Sequence, residues 1–310
     1  MLRWILNGLA VLLVLLLAAG WWFLFAGARA PATAPGLMDL SEWRALVAGD
    51  AGQGPSRVGW LEVGHAEFPS FAVQAGRFAD PVQMSFGSVE LSWPGRTAII
   101  DTAVDAETLE EMSQAPESGF DPDAYSVMLD AMELASLVVV THEHLDHVMG
   151  LARHPDPAAV APHLGITPTQ RAVLGQFARS GEVPEAYASL PLEARTQPVR
   201  LDAGLVAIPM AGHSPGSEMF YVQAADGTEY LFIGDIAWNM SNIDDLTTRP
   251  QLLNLLFFDP PEDRTRTRAQ LRALHDLNQA EPGLVIVPAH DRRHVEALIA
   301  EGKLAKGFVG

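Results

Sequence analysis

Cysteine is absent from the 310 residues. No disulfide can brace the fold and no thiolate can hold a metal, so any bound ion must rely on histidine and carboxylate. Positive charge is scarce as well. Lys and Arg number 20 against 38 Asp and Glu, for a formal net charge of −18. No basic run interleaves with aromatic residues, so the electrostatic footprint of a nucleic-acid partner is missing. The same balance disfavours docking on anionic lipid. Internal repeats are lacking, and the only low-complexity stretch is Ala30 to Gly36, a small, Pro-containing linker. Apolar material, by contrast, is plentiful: 48% of the residues are hydrophobic, enough for a sizeable core in one large domain or two small ones.

One apolar run stands apart. Trp4 to Ala26 carries no charge, and crossing a bilayer takes about 20 such residues. Trp21, Trp22, Phe23 and Phe25 read as an interfacial aromatic anchor. A cleaved signal peptide is the rival reading, with Arg3 as its basic start and Ala28-Arg29-Ala30 as an A-x-A site. The run is longer than the usual signal core of about 7–15 residues, which favours an uncleaved transmembrane helix. It is also apolar on every face, unlike a helix lying on a soluble core. The expected layout is an anchor over 1–29, a linker over 30–37 and a body over 38–310. The expected location is a bacterial-type inner membrane with the body outside the cytoplasm; a secreted or periplasmic product of signal cleavage is the alternative.

Along the body, strand and helix signals alternate. Arg57–Val63, Val82–Trp93 and a short run ending at Asp101 read as strands, the last opened by a turn at Pro94-Gly95. Asp105–Gln114 and Asp123–Ala135 read as helices with acidic starts that suit the helix dipole. Leu137–Val140 reads as a buried strand and Thr167–Ser180 as a helix. Strands follow at Leu205–Pro209, Glu218–Gln223 and Glu229–Ile233, then a helix over Glu262–Gln279, a strand over Leu284–Val287 and a helix over Arg292–Ala300. Hairpins with helices between them predict an α+β mixed-sheet system covered by helices, not a doubly wound parallel sheet.

The chemistry concentrates at strand ends. Thr141 to Gly150 reads THEHLDHVMG, directly after the buried strand. In an extended segment, residues two apart share a side, so His142 and His144 can grip one ion. Asp146 and His147 project from a different angle as the chain turns into a helix expected near Val148, and can grip a second. Glu143 should point the opposite way and is not counted as a ligand. Three further strand ends deliver the same residue types: His213 in MAGHSPGS, Asp235 after IG and His290 in PAHD. His65, His154, His163, His275 and His294 lack partners at ligand spacing and read as surface or loop residues.

This set resembles the metallo-β-lactamase superfamily, whose signature is H-x-H-x-D-H followed by a spaced His, Asp and His. The resemblance spans about Met38 to Phe308. It implies a four-layer αββα sandwich with the metal site along one edge. It also implies two divalent ions, zinc first, with iron or manganese as alternatives. His142, His144 and His213 would hold one ion, Asp146, His147 and His290 the other, and Asp235 would bridge. Asp101 matches the family's first motif, where an Asp supports the ligand loop. The chemistry implied is a hydroxide near neutral pH attacking a carbonyl or phosphoryl centre of a small molecule, with Asp146 orienting it or shuttling a proton.

Within the superfamily, the IGD segment and the lack of cysteine argue against β-lactam hydrolysis. His144 and the lack of an appended flavodoxin domain argue against the flavodiiron group. Lactonase-like hydrolases fit better, with one departure: acyl-homoserine lactonases place a Tyr three residues after the bridging Asp, and this chain has Trp238. Trp238 and Met240 then become candidates for an apolar substrate wall, with His65 to Phe71 as a weaker addition. Glyoxalase-II-like thioesterase, phosphodiesterase and iron-dependent sulfur dioxygenase activities stay open, as does a membrane-tethered binding protein with a degenerate site.

Overall fold

The computed structural model describes residues 2–113, 115–258 and 260–309. The chain opens with α1 (Leu2–Leu24), exposed along nearly its whole length. Asp39 caps α2 (Leu40–Leu46) by accepting the backbone N–H groups of Ser41 and Glu42. Strands β1 (Arg57–Phe68) and β2 (Val82–Trp93) pair antiparallel, with the short α3 (Ser70–Val73) between them. Gly95 supplies the left-handed residue, φ 79°, that turns the chain into β3 (Arg96–Ile100). Then come α4 (Ala106–Met112), β4 (Gly119–Phe120), α5 (Pro122–Leu134) and β5 (Leu137–Val139). Next are α6 (Leu145–Ala152), α7 (Pro157–Val160), α8 (Pro168–Phe177) and α9 (Glu185–Ala188).

The second half brings β6 (Val199–Asp202), β7 (Leu205–Pro209), β8 (Glu218–Gln223) and β9 (Glu229–Phe232). It continues through α10 (Met240–Asp244), α11 (Gln251–Phe257) and α12 (Arg264–Ala280). The chain closes with β10 (Leu284–Val287), α13 (Arg292–Ala300) and β11 (Ala305–Lys306). One sheet runs β11-β1-β2-β3-β5 with β4 on β1, the other β10-β9-β8-β7-β6. Both are mixed.

Strands that are apolar on both faces dictate the layering. In β7, Leu205 and Ala207 enter one core cluster while Val206 and Ile208 enter another. β8 splits Phe220 and Val222 from Met219 and Tyr221 in the same way, and β10 splits Val285 and Val287 from Leu284 and Ile286. In the other sheet, Ala98 and Ile100 of β3 face the shared cluster and Ile99 faces a third. The shared cluster lies between the sheets. The second is closed by Leu40 and Trp43 of α2 and Leu271 and Leu274 of α12, the third by Met128 and Met132 of α5 and Leu174 of α8. The order is helix, sheet, sheet, helix, because each strand face needs its own apolar cover.

The strand directions then gather the loops. β3 and β5 are parallel, so Asp101 and Thr141 emerge side by side. β7 and β9 are each antiparallel to β8, and β10 is parallel to β9, so the carboxyl ends of β7, β9 and β10 share one edge. The loops of the two sheets are tied across the gap. The Glu218 N–H donates to the Thr141 carbonyl at 2.7 Å, and the Ser85 N–H to the His290 carbonyl at 3.2 Å.

Several expectations shift. The helix expected near Val148 begins at Leu145, with His144 at its cap position, so Asp146 and His147 lie in its first turn. The helix expected from Glu262 begins at Arg264 behind Asp263, which accepts the Arg266 N–H. The helix expected to reach Gln114 stops at Met112, where Ser113 turns extended; Gln114 itself lies outside the described residues. His154, read as a surface or loop residue, lies in the loop between α6 and α7 but is buried, and its Nδ1 accepts the Asp156 N–H.

Candidate metal centre

All seven strand-end ligand candidates converge. His142, His144 and His213 form one group and Asp146, His147, Asp235 and His290 another, with the ligand atoms of each group within 4.8 Å of one another. Four-coordinate zinc with ligands about 2 Å away implies ligand atoms roughly 3.3 Å apart. His142 Nε2 and His144 Nδ1 are 3.0 Å apart. His147 Nε2 and His290 Nε2 are 3.3 Å apart, and Asp146 Oδ2 is 3.3 Å from His290 Nε2.

Asp235 lies between the groups. Its Oδ2 is 3.3 Å from His213 Nε2 and 3.9 Å from His142 Nε2. Its Oδ1 is 3.0 Å from His290 Nε2 and 3.4 Å from His147 Nε2. His213 Nε2 and Asp235 Oδ1 are buried, and neither has a hydrogen-bond partner of acceptable geometry. Orphaned buried polar atoms are costly, and these two face the space that cations would fill. The donor set fits divalent metal ions.

The opposite edges of the imidazoles are fixed by partners. His147 Nδ1 lies 3.0 Å from Asp101 Oδ2, His290 Nδ1 2.9 Å from the Ser85 carbonyl, and His213 Nδ1 2.6 Å from Glu262 Oε1. Each such contact places the proton on Nδ1 and leaves the Nε2 lone pair for a metal. Asp101 does more. Its Oδ1 accepts the Thr141 N–H at 2.6 Å, pinning the start of the ligand loop. It holds a left-handed φ of 63°, unusual for a residue with a side chain, which this set of bonds enforces. Asp101 thus ties the end of β3 to Thr141 and to His147.

Glu143 points away from the cluster, as alternation requires. It accepts Ser214 Oγ at 2.7 Å and the Gly216 N–H at 2.9 Å, shaping the loop that carries His213. Glu262 and Arg249 were not singled out in the sequence. The Glu262 side chain is fully buried between His213, Arg249 and Arg264, with Arg264 Nη1 at 2.8 Å. The signal that could have found it is an acidic residue just ahead of an Arg-rich helix, beside positive charges in need of a partner.

Burial and neighbouring charge sort the ionisable groups. Burial, with the adjacent His147, holds His142 well below the ordinary histidine pKa; burial, with the adjacent His213, does the same for His144. Burial also lowers His213. These three are neutral at pH 7, as the lone pair of a metal-binding imidazole would require. Burial alone would push His147 down too. The carboxylates of Asp101 and Asp146, the hydrogen bond to Asp101 and the nearby Asp235 carboxylate outweigh it and raise His147 well above the ordinary value. His290 is raised because Asp235 and Asp146 outweigh its burial. Burial would raise Asp235, but His290, His142 and His147 hold it well below the usual carboxylate range.

Trp238 Nε1 donates to Asp235 Oδ2 at 2.6 Å, so it steadies the carboxylate that lies between the two groups. The Arg249 guanidinium stacks over its ring at 4.2 Å. Met240 packs into the cluster beneath the second sheet. The open side of the centre lies at the half-buried His144 and Asp146; Phe258 stands beside it, its ring 5.7 Å from that of His144 and 5.5 Å from that of His213.

No family model and no curated protein matches the chain. Its likeness to solved structures is one of fold. An N-acyl homoserine lactone hydrolase with its product bound at the catalytic metal centre superposes with a TM-score of 0.58 at 12% identity, over 79% of this chain and 96% of that one. A metal-dependent hydrolase from Staphylococcus aureus, described as probable, gives 0.55 at 12%, over 77% and 90%. A dizinc quorum-quenching lactonase in complex with a product gives 0.51 at 11%, over 75% and 86%. The chain has the metallo-β-lactamase fold.

Proposed function

We propose that the chain is a membrane-anchored, dinuclear metal-dependent hydrolase acting on ester or lactone carbonyls of small molecules. The observation that carries this reading is the division of the Asp235 carboxylate. One oxygen faces His142 and His213, and the other faces His147 and His290. His142, His144 and His213 would hold one ion, and Asp146, His147 and His290 the other, with Asp235 available to both. Zinc suits these ligands, and iron or manganese are alternatives. Two bound divalent ions would supply Lewis acidity and a water acidified toward neutral pH.

The chain's own residues do the rest. Asp146, half-buried at the open side, accepts a proton at Oδ2 and returns it to the leaving oxygen. Asp101 and Glu262 fix the imidazole tautomers. Trp238 has no hydroxyl, and its one N–H is committed to Asp235, so it offers no donor to a substrate carbonyl; this sets the chain apart from a Tyr-bearing acyl-homoserine lactonase. A panel of lactones, carboxylic esters, thioesters, phosphodiesters and nitrocefin, each with zinc, manganese and iron, tests the proposal. Lactone or ester turnover should lead by about tenfold or more, the preference expected of a site built for one leaving group. Rapid turnover of nitrocefin alone would overturn it.

The domain layout belongs to the same proposal: an anchor over 1–29, a linker over 30–37 and a hydrolase body over 38–310. Within the linker, the Ala30 N–H donates to the Leu246 carbonyl at 2.9 Å. Arg272 Nε donates to the Pro31 carbonyl at 2.8 Å. In cells, the chain should stay with membranes through carbonate washing, and protease added to intact spheroplasts should digest the body. Release by carbonate, or a protected body, would count against the layout.

A further inference from the structure

Helix α11 is built inside out. Its inward side is polar: Gln251 Oε1 accepts Arg264 Nε at 3.0 Å, and the buried Asn254 accepts the Glu262 N–H at 2.8 Å. Its outward side carries Leu252, Leu255 and Leu256, with 38%, 52% and 64% of their surface exposed. Spacings of three and four put these leucines on one helix face. A helix on a water-facing surface has the reverse order, apolar inward and polar outward.

The neighbours of α11 say what covers that face. The base of α1 is stitched to the segment just before α11: the Thr248 N–H donates to the Ala28 carbonyl at 3.0 Å, and Arg29 bridges Thr247. Gly27 approaches Gln251 so closely that an added Cβ would lie 3.2 Å from the Gln251 Cβ. On the other flank, Phe25 of the α1 base meets Phe78 with ring centroids 6.4 Å apart, and Phe78 stacks on Phe71 at 6.3 Å. Phe78 is 79% exposed. The 75–78 segment is itself tied in, with the Ala75 N–H donating to the Thr248 carbonyl at 2.9 Å. Exposed leucines and phenylalanines thus flank the point where a long, predominantly apolar helix leaves the body. The carboxyl end of α11 runs into Phe258, beside His144 and His213.

We infer that the outer face of α11, with Phe71 and Phe78, lies in the acyl layer of the bilayer that α1 enters, so that the site opens at the lipid surface and takes a long-chain acyl ester or lactone from the membrane. The substrate part of this inference rests on the hydrolase reading above, and the docking part on the anchor proposed there. The net charge of −18 leaves apolar insertion, not attraction to anionic headgroups, as the source of contact.

The lack of cysteine makes the test direct. Single nitroxides are placed on the full chain at Leu252→Cys, Leu255→Cys and Leu256→Cys, with Leu134→Cys on α5 as an exposed reference, in phosphatidylcholine proteoliposomes. Labels on α11 should be accessible to oxygen and shielded from a water-soluble nickel chelate, while Leu134 shows the opposite. Water-like accessibility on α11, or shielding from both reagents as in a contact between two copies, overturns the docking. The second arm compares vesicle-partitioned p-nitrophenyl laurate with aqueous p-nitrophenyl acetate in Leu255→Glu/Leu256→Glu. Laurate turnover should fall by about tenfold or more as apolar contact is lost, with acetate turnover unchanged. An equal effect on both esters, or none on laurate, overturns the membrane source. If neither ester is turned over by the unaltered chain, the ester-hydrolase reading and the lipid-sourced substrate fall together, and the nitroxide readings still decide the docking.

Discussion

Asp235→Ala is expected to reduce bound zinc from two ions per chain to one or fewer and to lower turnover about 10³-fold. That figure is the rate equivalent of about 4 kcal/mol of lost Lewis-acid assistance. Asp235 is buried among imidazoles, with its oxygens aimed at separate groups, so no other side chain can take its place. It is also the anion that offsets protons on His147 and His290 when metal is absent. Both histidines are raised above their ordinary pKa, His290 chiefly by Asp235 and His147 by Asp101 and Asp146 with Asp235 assisting. Removing the carboxylate therefore loses a ligand and leaves the cluster with less charge to draw a cation. Elemental analysis of the purified variant, read beside kcat on the best substrate of the panel, checks it. Full turnover with both ions gone, or two ions retained with unchanged kcat, would remove Asp235 from the centre of the argument. Asp235→Asn separates charge from shape: it keeps Oδ1, so its zinc content should fall between those of the wild type and the alanine variant.

The seven-residue constellation was legible because each ligand follows a strand whose apolar run is read locally. β2, β7, β8, β10 and α13 occupy the residues the pattern assigned to them. β6 went unread because Val199 and Arg200 are exposed and the strand is pinned instead by tertiary contacts. Arg200 reaches Asp50, 150 residues away, at 2.6 Å. The supports of the site were hidden for a related reason. Glu262 meets His213 across 49 residues, and Arg249 sits in a loop with no periodicity to flag it. Trp238 reads in the sequence as a candidate for a support of the site or an apolar wall. Which atom its indole N–H meets depends on where the Asp235 carboxylate points, and no spacing encodes that. Local pattern locates candidate ligands at strand ends; what orients those side chains is set by long-range packing.

Glu262→Gln is expected to cost about 3–5 kcal/mol of stability and to weaken zinc binding about 10–100-fold, through two separable effects. One buried carboxylate serves His213, Arg249 and Arg264 at once. Burial pushes the Arg249 pKa down to about 9 and that of Arg264 to about 10, so both remain cations at neutral pH. The amide leaves two buried guanidiniums with no anion between them, and this accounts for the stability loss. It also removes the negative charge on which His213 Nδ1–H rests, and this accounts for the weaker metal site. A second change tells the two apart. Adding Arg249→Met removes one of the two unbalanced cations while keeping an unbranched chain against Trp238 and Phe258. Urea unfolding of the metal-depleted protein in detergent should then show part of the lost stability regained, a coupling energy of roughly 1–3 kcal/mol. Zinc affinity, read by competition with a chromophoric chelator, should stay low in the double variant, because the His213 partner is still neutral. Recovery of zinc affinity together with stability would show that Glu262 acts on the metal only by holding the fold, and its part in orienting His213 would fall.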